Sequence, residues 1–390
     1  MNKIKHAWLR KAGVACLGLA AGLVIAEAGL RVLGLPQTHR PHTPYRQFHF
    51  LHDSQTGETF YVNAPAADIT FHYDSNPRGY FLPGNAVVHR TNALGFRGPD
   101  YGIDKPPGAV RVAFFGDSFT FGEGVLDSDT FVEVTRRLLS ERFPRLDFQC
   151  GNFGVGGYDT ADELFLMRRV LPGFQPDAVV LCYVLNDAEP PLFTEDPAAG
   201  PVRRQRARDV PEGVGTILPD RGLYRLRLAR LVWQVVDQRR RNEQTVAWYR
   251  SLYRPEAAGW QATRRALAEF AALCRKNNVP LVVVLFPILY RLDAGHPFSD
   301  LHALVRQEVE AQGGRVLDLL PVFLGRRAED LWVHPTDQHP NEKAHRIAAE
   351  SIASFLAGTP GFLPRVPAAP DRPSPASGPG DAARIPGAPP

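Results

Sequence analysis

Val110-Arg111-Val112-Ala113-Phe114-Phe115-Gly116-Asp117-Ser118-Phe119-Thr120-Phe121-Gly122 decides the fold class of this chain. Its first six residues form a short run rich in β-branched and aromatic side chains, which reads as a buried strand. Glycine ends the run, and a polar turn leads on to a helix-like stretch near 130–142. A serine there stands on a tight turn at the carboxyl edge of a sheet, with its hydroxyl exposed and its own N–H free. Those are the requirements for a nucleophile that also donates to an oxyanion. Taken alone, Gly116-Asp117-Ser118 reads better as a turn serine capping the next helix.

Working outward, short apolar runs alternate with helical stretches. Strands are expected at Val110–Phe115, Leu146–Cys150, Asp177–Tyr183, Leu281–Phe286 and Val316–Leu320, and helices near 130–142, 160–171, 258–277, 301–311 and 341–356. Thr130-Phe131-Val132-Glu133 fits a capping box. Apolar strands alternating with helices argue for an α/β fold, a parallel sheet covered on both faces. Such sheets bind ligands at the carboxyl ends of their strands, and three further polar elements follow strands or precede the last helix. Asn152-Phe153-Gly154-Val155-Gly156-Gly157-Tyr158 follows the second strand, where glycines let backbone N–H groups point into a site. Asn186-Asp187 follows the third, and an Asn amide is a neutral donor suited to an oxyanion. Asp337-Gln338-His339-Pro340-Asn341 precedes the last helix. Asp and His two apart in an extended loop set the carboxylate beside Nδ1 and leave Nε2 facing a serine. Each element alone is a commonplace turn, but the four in this order are far more specific.

With those residues in view, the segment from about Asn92 to Ala357 resembles the GDSL-like esterases and lipases of the SGNH hydrolase superfamily. Ser118 matches the nucleophile of the first block, Gly157 the glycine of the second, Asn186 the asparagine of the third, and His339 the histidine of the fifth. The resemblance implies a three-layer, flavodoxin-like αβα sandwich and chemistry without metal or organic cofactor. It also implies an oxyanion hole made by the N–H groups of Ser118 and Gly157 and the side chain of Asn186. The upstream Asn92-Ala93-Leu94-Gly95-Phe96-Arg97-Gly98, with the apolar N-terminus, looks like a membrane-associated bacterial branch, in which the role of Arg97 is open. Two departures stand out. The third block reads Val184-Leu185-Asn186-Asp187 rather than Gly-x-Asn-Asp, and the acid falls at Asp337, two residues before the histidine, while Thr336 holds the usual place. His334 is read as structural.

The expected activity is therefore carboxylic-ester hydrolysis through an acyl-serine, with Ser118, His339 and Asp337 as the triad. The ester belongs to a lipid, an acylated glycan or a small molecule. O-acetyl transfer to an extracytoplasmic polysaccharide uses the same triad type and is the first alternative; a non-catalytic binding protein on the hydrolase fold is the second.

The flanks bound the rest. Lys3, Lys5, Arg10 and Lys11 precede an apolar stretch from Ala12 to Ala26 that continues to Leu35, so residues 1–36 read as a membrane anchor in preference to a cleaved signal. The positive-inside bias then puts the rest of the chain outside the cytoplasm. Residues 37–107 read as a strand-containing leading segment and 108–357 as the hydrolase domain. That domain carries an insertion at 188–256, whose stretch Leu223 to Val236 reads as a helix packed on it with a solvated basic face, or as a lid or a basic surface near anionic lipid or polysaccharide. The Pro/Ala/Gly-rich tail, 358–390, is expected to be disordered. Net charge is +4 with no basic run interleaved with aromatics, which argues against nucleic acid. Cys16, Cys150, Cys182 and Cys274 form no metal-binding spacing, and a Cys150–Cys182 bridge requires neighbouring strands.

Overall fold

The computed structural model describes residues 2–35, 48–52, 59–102, 104–189, 193–196, 200–203 and 222–362. A long helix, α1 (Asn2–Val32), leads into two antiparallel hairpins: β1 (Phe48–His52) with β2 (Thr59–Asn63), and β3 (Asp68–His72) with β4 (Ala86–Arg90). The alternating part follows: β5 (Ala109–Gly116), the short α2 (Ser118–Phe121), α3 (Phe131–Arg142), β6 (Asp147–Gly154), α4 (Thr160–Phe174) and β7 (Ala178–Tyr183). The insertion contributes a small hairpin, β8 (Phe193–Asp196) and β9 (Gly200–Arg203), and α5 (Arg227–Leu252). The chain then runs through α6 (Ala258–Lys276), β10 (Leu281–Leu285), α7 (Ser299–Ala311), β11 (Arg315–Asp318) and α8 (Leu320–Phe323). A last hairpin, β12 (Trp332–His334) and β13 (Asp337–Pro340), precedes α9 (Glu342–Gly358).

β11-β10-β7-β5-β6 is the order of the five-stranded sheet, and all its pairings are parallel. This is the flavodoxin-like order, with its switch point at the carboxyl end of β5, beside β7. The period-two alternation of each strand divides the core. Ala113, Phe115, Val179, Leu181, Val283 and Leu285 face α4, α6 and α7, whereas Val112, Phe114, Val180, Cys182, Val282 and Val284 face α3 and α9. β5 and β7 are buried at every position, which is why they read as continuous apolar runs. Truncating a fully buried ring such as Phe114 to alanine costs about 3–5 kcal/mol.

Several local expectations are revised. β6 runs on to Gly154, because Asn152, Phe153 and Gly154 stay in ladder register with Phe114, Phe115 and Gly116, so the turn begins only at Val155. The fifth strand stops at Asp318, whose carboxylate caps the N–H of Leu320 and meets His302. At α3, Thr130 accepts from the Glu133 N–H but Glu133 turns to Arg136, so half of the capping box forms. A complete box occurs at α4 instead, with Asp159 and Asp162. β5 separates the strands of Cys150 and Cys182, and each of these thiols is free and buried. Beyond residue 362 the tail lies outside the described residues.

The leading hairpins pack on the sandwich. The ring of Phe60 in β2 packs tilted against that of Phe165 in α4, with centroids 3.8 Å apart. Ile69, Phe71, Tyr73, Phe81 and Val87 form a small core with Phe121, Val125 and Val333, directly over the loop that follows Ser118.

Candidate active site

Ser118 opens α2 at the end of β5, with Asp117 as N-cap accepting the Phe119 N–H. Its Oγ lies 2.8 Å from Nε2 of His339. His339 comes from β13, held ahead of α9 by Asn341, whose amide donates to the carbonyls of Asp330 and Trp332 while its oxygen caps the helix. His339 Nδ1 stands 2.6 Å from Asp337 Oδ1, and the His339 backbone N–H donates to the same oxygen. The other oxygen of Asp337 accepts from the hydroxyl of Tyr73 at 2.9 Å. Thr336 bonds to His334, which also meets Ser75, so neither residue competes for the His339 ring.

Opposite this relay lies the second turn. Gly157 has φ +82° in a turn closed by Tyr158 N–H to Val155 carbonyl, and the Gly156 carbonyl accepts from Tyr61 of β2 at 3.1 Å. A Cβ added at Gly156 would stand 3.9 Å from Ser118 Cβ, so the turn directly faces the nucleophile position. Asn186 follows β7 in a 3-10 turn and donates through Nδ2 to Asp117 Oδ2 at 2.8 Å. Since a carboxamide nitrogen carries two hydrogens, the second is left to point elsewhere. Burial pushes the Asp117 carboxyl above its ordinary range, while the donors from Asn186 and Phe119 pull it down.

A further carboxyl enters the cleft. Glu123 Oε2 lies 3.8 Å from His339 Nε2, with its side chain 18% exposed. The loop that presents it is clamped by Arg97, which is itself buried and donates to the carbonyls of Phe121, Gly122 and Val125 and to Asp127. This answers the open question about Arg97: it holds the loop after the nucleophile turn. Burial alone would lower the His339 pKa, but the negative charges of Asp337 and Glu123 outweigh it and raise the pKa.

The profile of the GDSL-like Lipase/Acylhydrolase family matches residues 114–347, more than half of the chain. The chain belongs to that family. Comparison with curated proteins returned no match. Among solved structures it is similar to a two-domain esterase active on acetylated mannans, at 14% identity and TM-score 0.39, covering 67% of this chain and 52% of that one. It thus spans about half the length of that relative. It is also similar to a lipolytic protein of the G-D-S-L family from Desulfitobacterium hafniense, at 12% identity and TM-score 0.36, covering 63% and 99%. An acetylxylan esterase from Geobacillus stearothermophilus matches at 15% identity and TM-score 0.39, covering 62% and 92%.

Within this GDSL-like framework the structure brings Ser118, His339 and Asp337 into one hydrogen-bonded chain, sets the Gly156-Gly157 turn against Ser118, and ties Asn186 to Asp117. Sequence reasoning missed Tyr61, Tyr73 and Glu123. The glycines on both sides of Glu123 were the available signal for the last. The two tyrosines carried none, because their partners are 95 and 264 residues away.

Proposed function

We propose that this protein is a serine esterase that cleaves a carboxylic ester through an acyl-serine intermediate. The observation that carries the reading is the continuous chain from Asp337 through His339 to Ser118, with contacts of 2.6 and 2.8 Å. With Nδ1–H donated to Asp337, the Nε2 lone pair accepts the Ser118 proton as Oγ attacks the ester carbonyl. The Ser118 and Gly157 N–H groups and the free hydrogen of the Asn186 amide stabilise the tetrahedral oxyanion. Imidazolium then protonates the departing alcohol, and water, deprotonated by His339, releases the acid. Asp117 is a positioning residue, because its bond fixes which way the Asn186 amide faces.

The protein works at the outer face of a membrane and keeps its N-terminal helix. Arg10–Val32 is long and apolar enough to cross one, by length and composition. A contact at its outer end supports retention over cleavage. Glu27 accepts from the backbone N–H groups of Arg227 and Leu228 at the start of α5, where no side chain of α5's own N-cap residue does so. Cleavage near Ala26-Glu27-Ala28 would strip that cap.

Fluorophosphonate labelling of the full chain in detergent, read by peptide mass spectrometry, tests the reading. An adduct on Ser118 that vanishes in Ser118→Ala is expected. A folded wild-type chain that takes no label sinks the acyl-serine mechanism.

A further inference from the structure

Glu123 has no part in the relay, yet the fold goes to some length to put it there. It lies between Gly122 and Gly124, both in the left-handed region with φ +79° and +81°. A Cβ at Gly122 would meet Thr130 at 2.7 Å, and one at Gly124 would meet Val333 at 2.4 Å and the Tyr73 hydroxyl at 2.9 Å. Both neighbours are therefore restricted to glycine by conformation and by space. The N–H of Glu123 is tied back to the Ser118 carbonyl at 3.1 Å, and Arg97 fixes the carbonyls of Phe121, Gly122 and Val125 around it. The backbone is locked so that this one side chain projects over the nucleophile turn.

The carboxylate stands in the cleft between the His339 ring and the Gly156 turn. Imidazolium must deliver its proton to the leaving oxygen from Nε2, at hydrogen-bond distance of about 3 Å. Glu123 Oε2 is 3.8 Å from that same nitrogen, and a Cβ at Gly156 would stand 3.8 Å from the Glu123 oxygen. A leaving oxygen that takes its proton from Nε2 would therefore come to lie near Glu123. A hydroxyl on the carbon next to the esterified one falls within reach of the carboxylate while its neighbour oxygen faces Nε2.

We propose that Glu123 is a substrate-contacting specificity residue whose carboxylate accepts a hydrogen bond from a hydroxyl of the alcohol moiety, so that the preferred substrates are acyl esters of polyols, sugars included. The inference rests on the acyl-serine reading and adds the class of alcohol. A cationic alcohol fits less well, because its charge would stand against the imidazolium that forms at His339 in the transition state. The groups facing Glu123 are His339 and Asp337 from the β12–β13 hairpin, Asp117 from the nucleophile turn and Tyr73 from β3–β4. Burial pushes its carboxyl up, His339 pulls it down, and Asp337 and Asp117 push it up again, to about 7. The accepting, ionised form therefore gains population as pH rises past neutrality.

The test compares kcat/KM for 1-monoacetylglycerol, n-propyl acetate and acetylcholine at pH 8, with the full-length wild type, Glu123→Gln and Glu123→Ala in detergent. The first two esters share a carbon skeleton and differ only in hydroxyls. Wild type should prefer the glycerol ester by about tenfold, the worth of a hydrogen bond to a charged group. Both variants should lose most of that preference, chiefly through KM. Fluorophosphonate labelling of each variant shows that it is folded with an active serine, and the alanine variant serves if the glutamine one does not fold. A labelled variant with an unchanged ratio overturns the proposal. Equal losses on all three esters overturn it too, because Glu123 then acts only through His339. A loss confined to acetylcholine replaces polyol with cationic alcohol. An unlabelled wild type removes the acyl-serine reading, and the inference with it.

Discussion

Ser118 and His339 hang from the sandwich, at the end of β5 and in the hairpin ahead of α9, whereas Tyr61 and Tyr73 reach the same cleft from hairpins that precede the sheet. The two sets are held differently. Ser118 is fixed by the parallel ladders of β5, and His339 by the antiparallel β12–β13 pair and the Asn341 cap of α9. The hairpin residues act through single phenolic hydroxyls, Tyr61 on the Gly156 carbonyl and Tyr73 on Asp337. The sandwich therefore supplies the reacting groups and the hairpins adjust them, so damage to the first should remove activity and damage to the second should only retune it.

The largest effect should come from the sandwich side. Asp337→Asn keeps the shape but removes the charge beside Nδ1, leaving the ring free to adopt the wrong tautomer. A fall in kcat of roughly 10³–10⁴ is expected, the scale of such a change in other Ser-His-Asp sites. Near-normal turnover of acetyl esters by this variant would show that Asp337 is not the orienting acid.

Tyr73→Phe asks the same question from the hairpin side. It deletes a hydroxyl that donates to the buried Asp337 Oδ2. The carboxylate then leans harder on the imidazolium, so the His339 pKa should rise further and the acid limb of kcat/KM should move to higher pH. The fall at the optimum should be only about tenfold. A loss as large as that of Asp337→Asn would erase the distinction between the two regions.

That division also explains what was legible in the chain. β5 and β7 are buried at every position, so they had to be apolar runs, and strands of that kind announce a parallel sheet. Ser118, Gly157, Asn186 and His339 could be picked out because each follows a strand or precedes a helix by a few residues. The hairpins offered no such local rule. Tyr73 is one aromatic among many in its segment, and only the fold carries it to Asp337. Glu123 lay within the first motif's reach but has a meaning only once His339 comes to stand beside it.

Glu123→Gln should move the acid limb in the direction opposite to Tyr73→Phe. Catalysis needs His339 neutral, so activity appears as pH rises through the His339 pKa. A negative charge 3.8 Å from Nε2 favours imidazolium and keeps that pKa high. Removing the charge should lower it and shift the acid limb down by about one pH unit, a typical effect of one nearby opposite charge. The combination pits a sandwich-borne charge against a hairpin-borne hydroxyl. Should both variants move the limb the same way, the electrostatic account of His339 fails.

The smallest effect should belong to Tyr61→Phe. Its hydroxyl donates to a carbonyl of the second turn rather than to a reacting group, and the Gly156-Gly157 backbone is also held by Tyr158 N–H on Val155 and by Val155 N–H on the Gly116 carbonyl. Losing one donor of three lets the turn drift a little and weakens the alignment of the Gly157 N–H with the oxyanion. That costs transition-state binding alone, so kcat should fall about threefold, less than the worth of one net hydrogen bond, with KM and both limbs of the pH profile unmoved. A shift in the acid limb here would mean that the first hairpin also reaches His339, and the two hairpins would then have to be treated as one charge-setting wall.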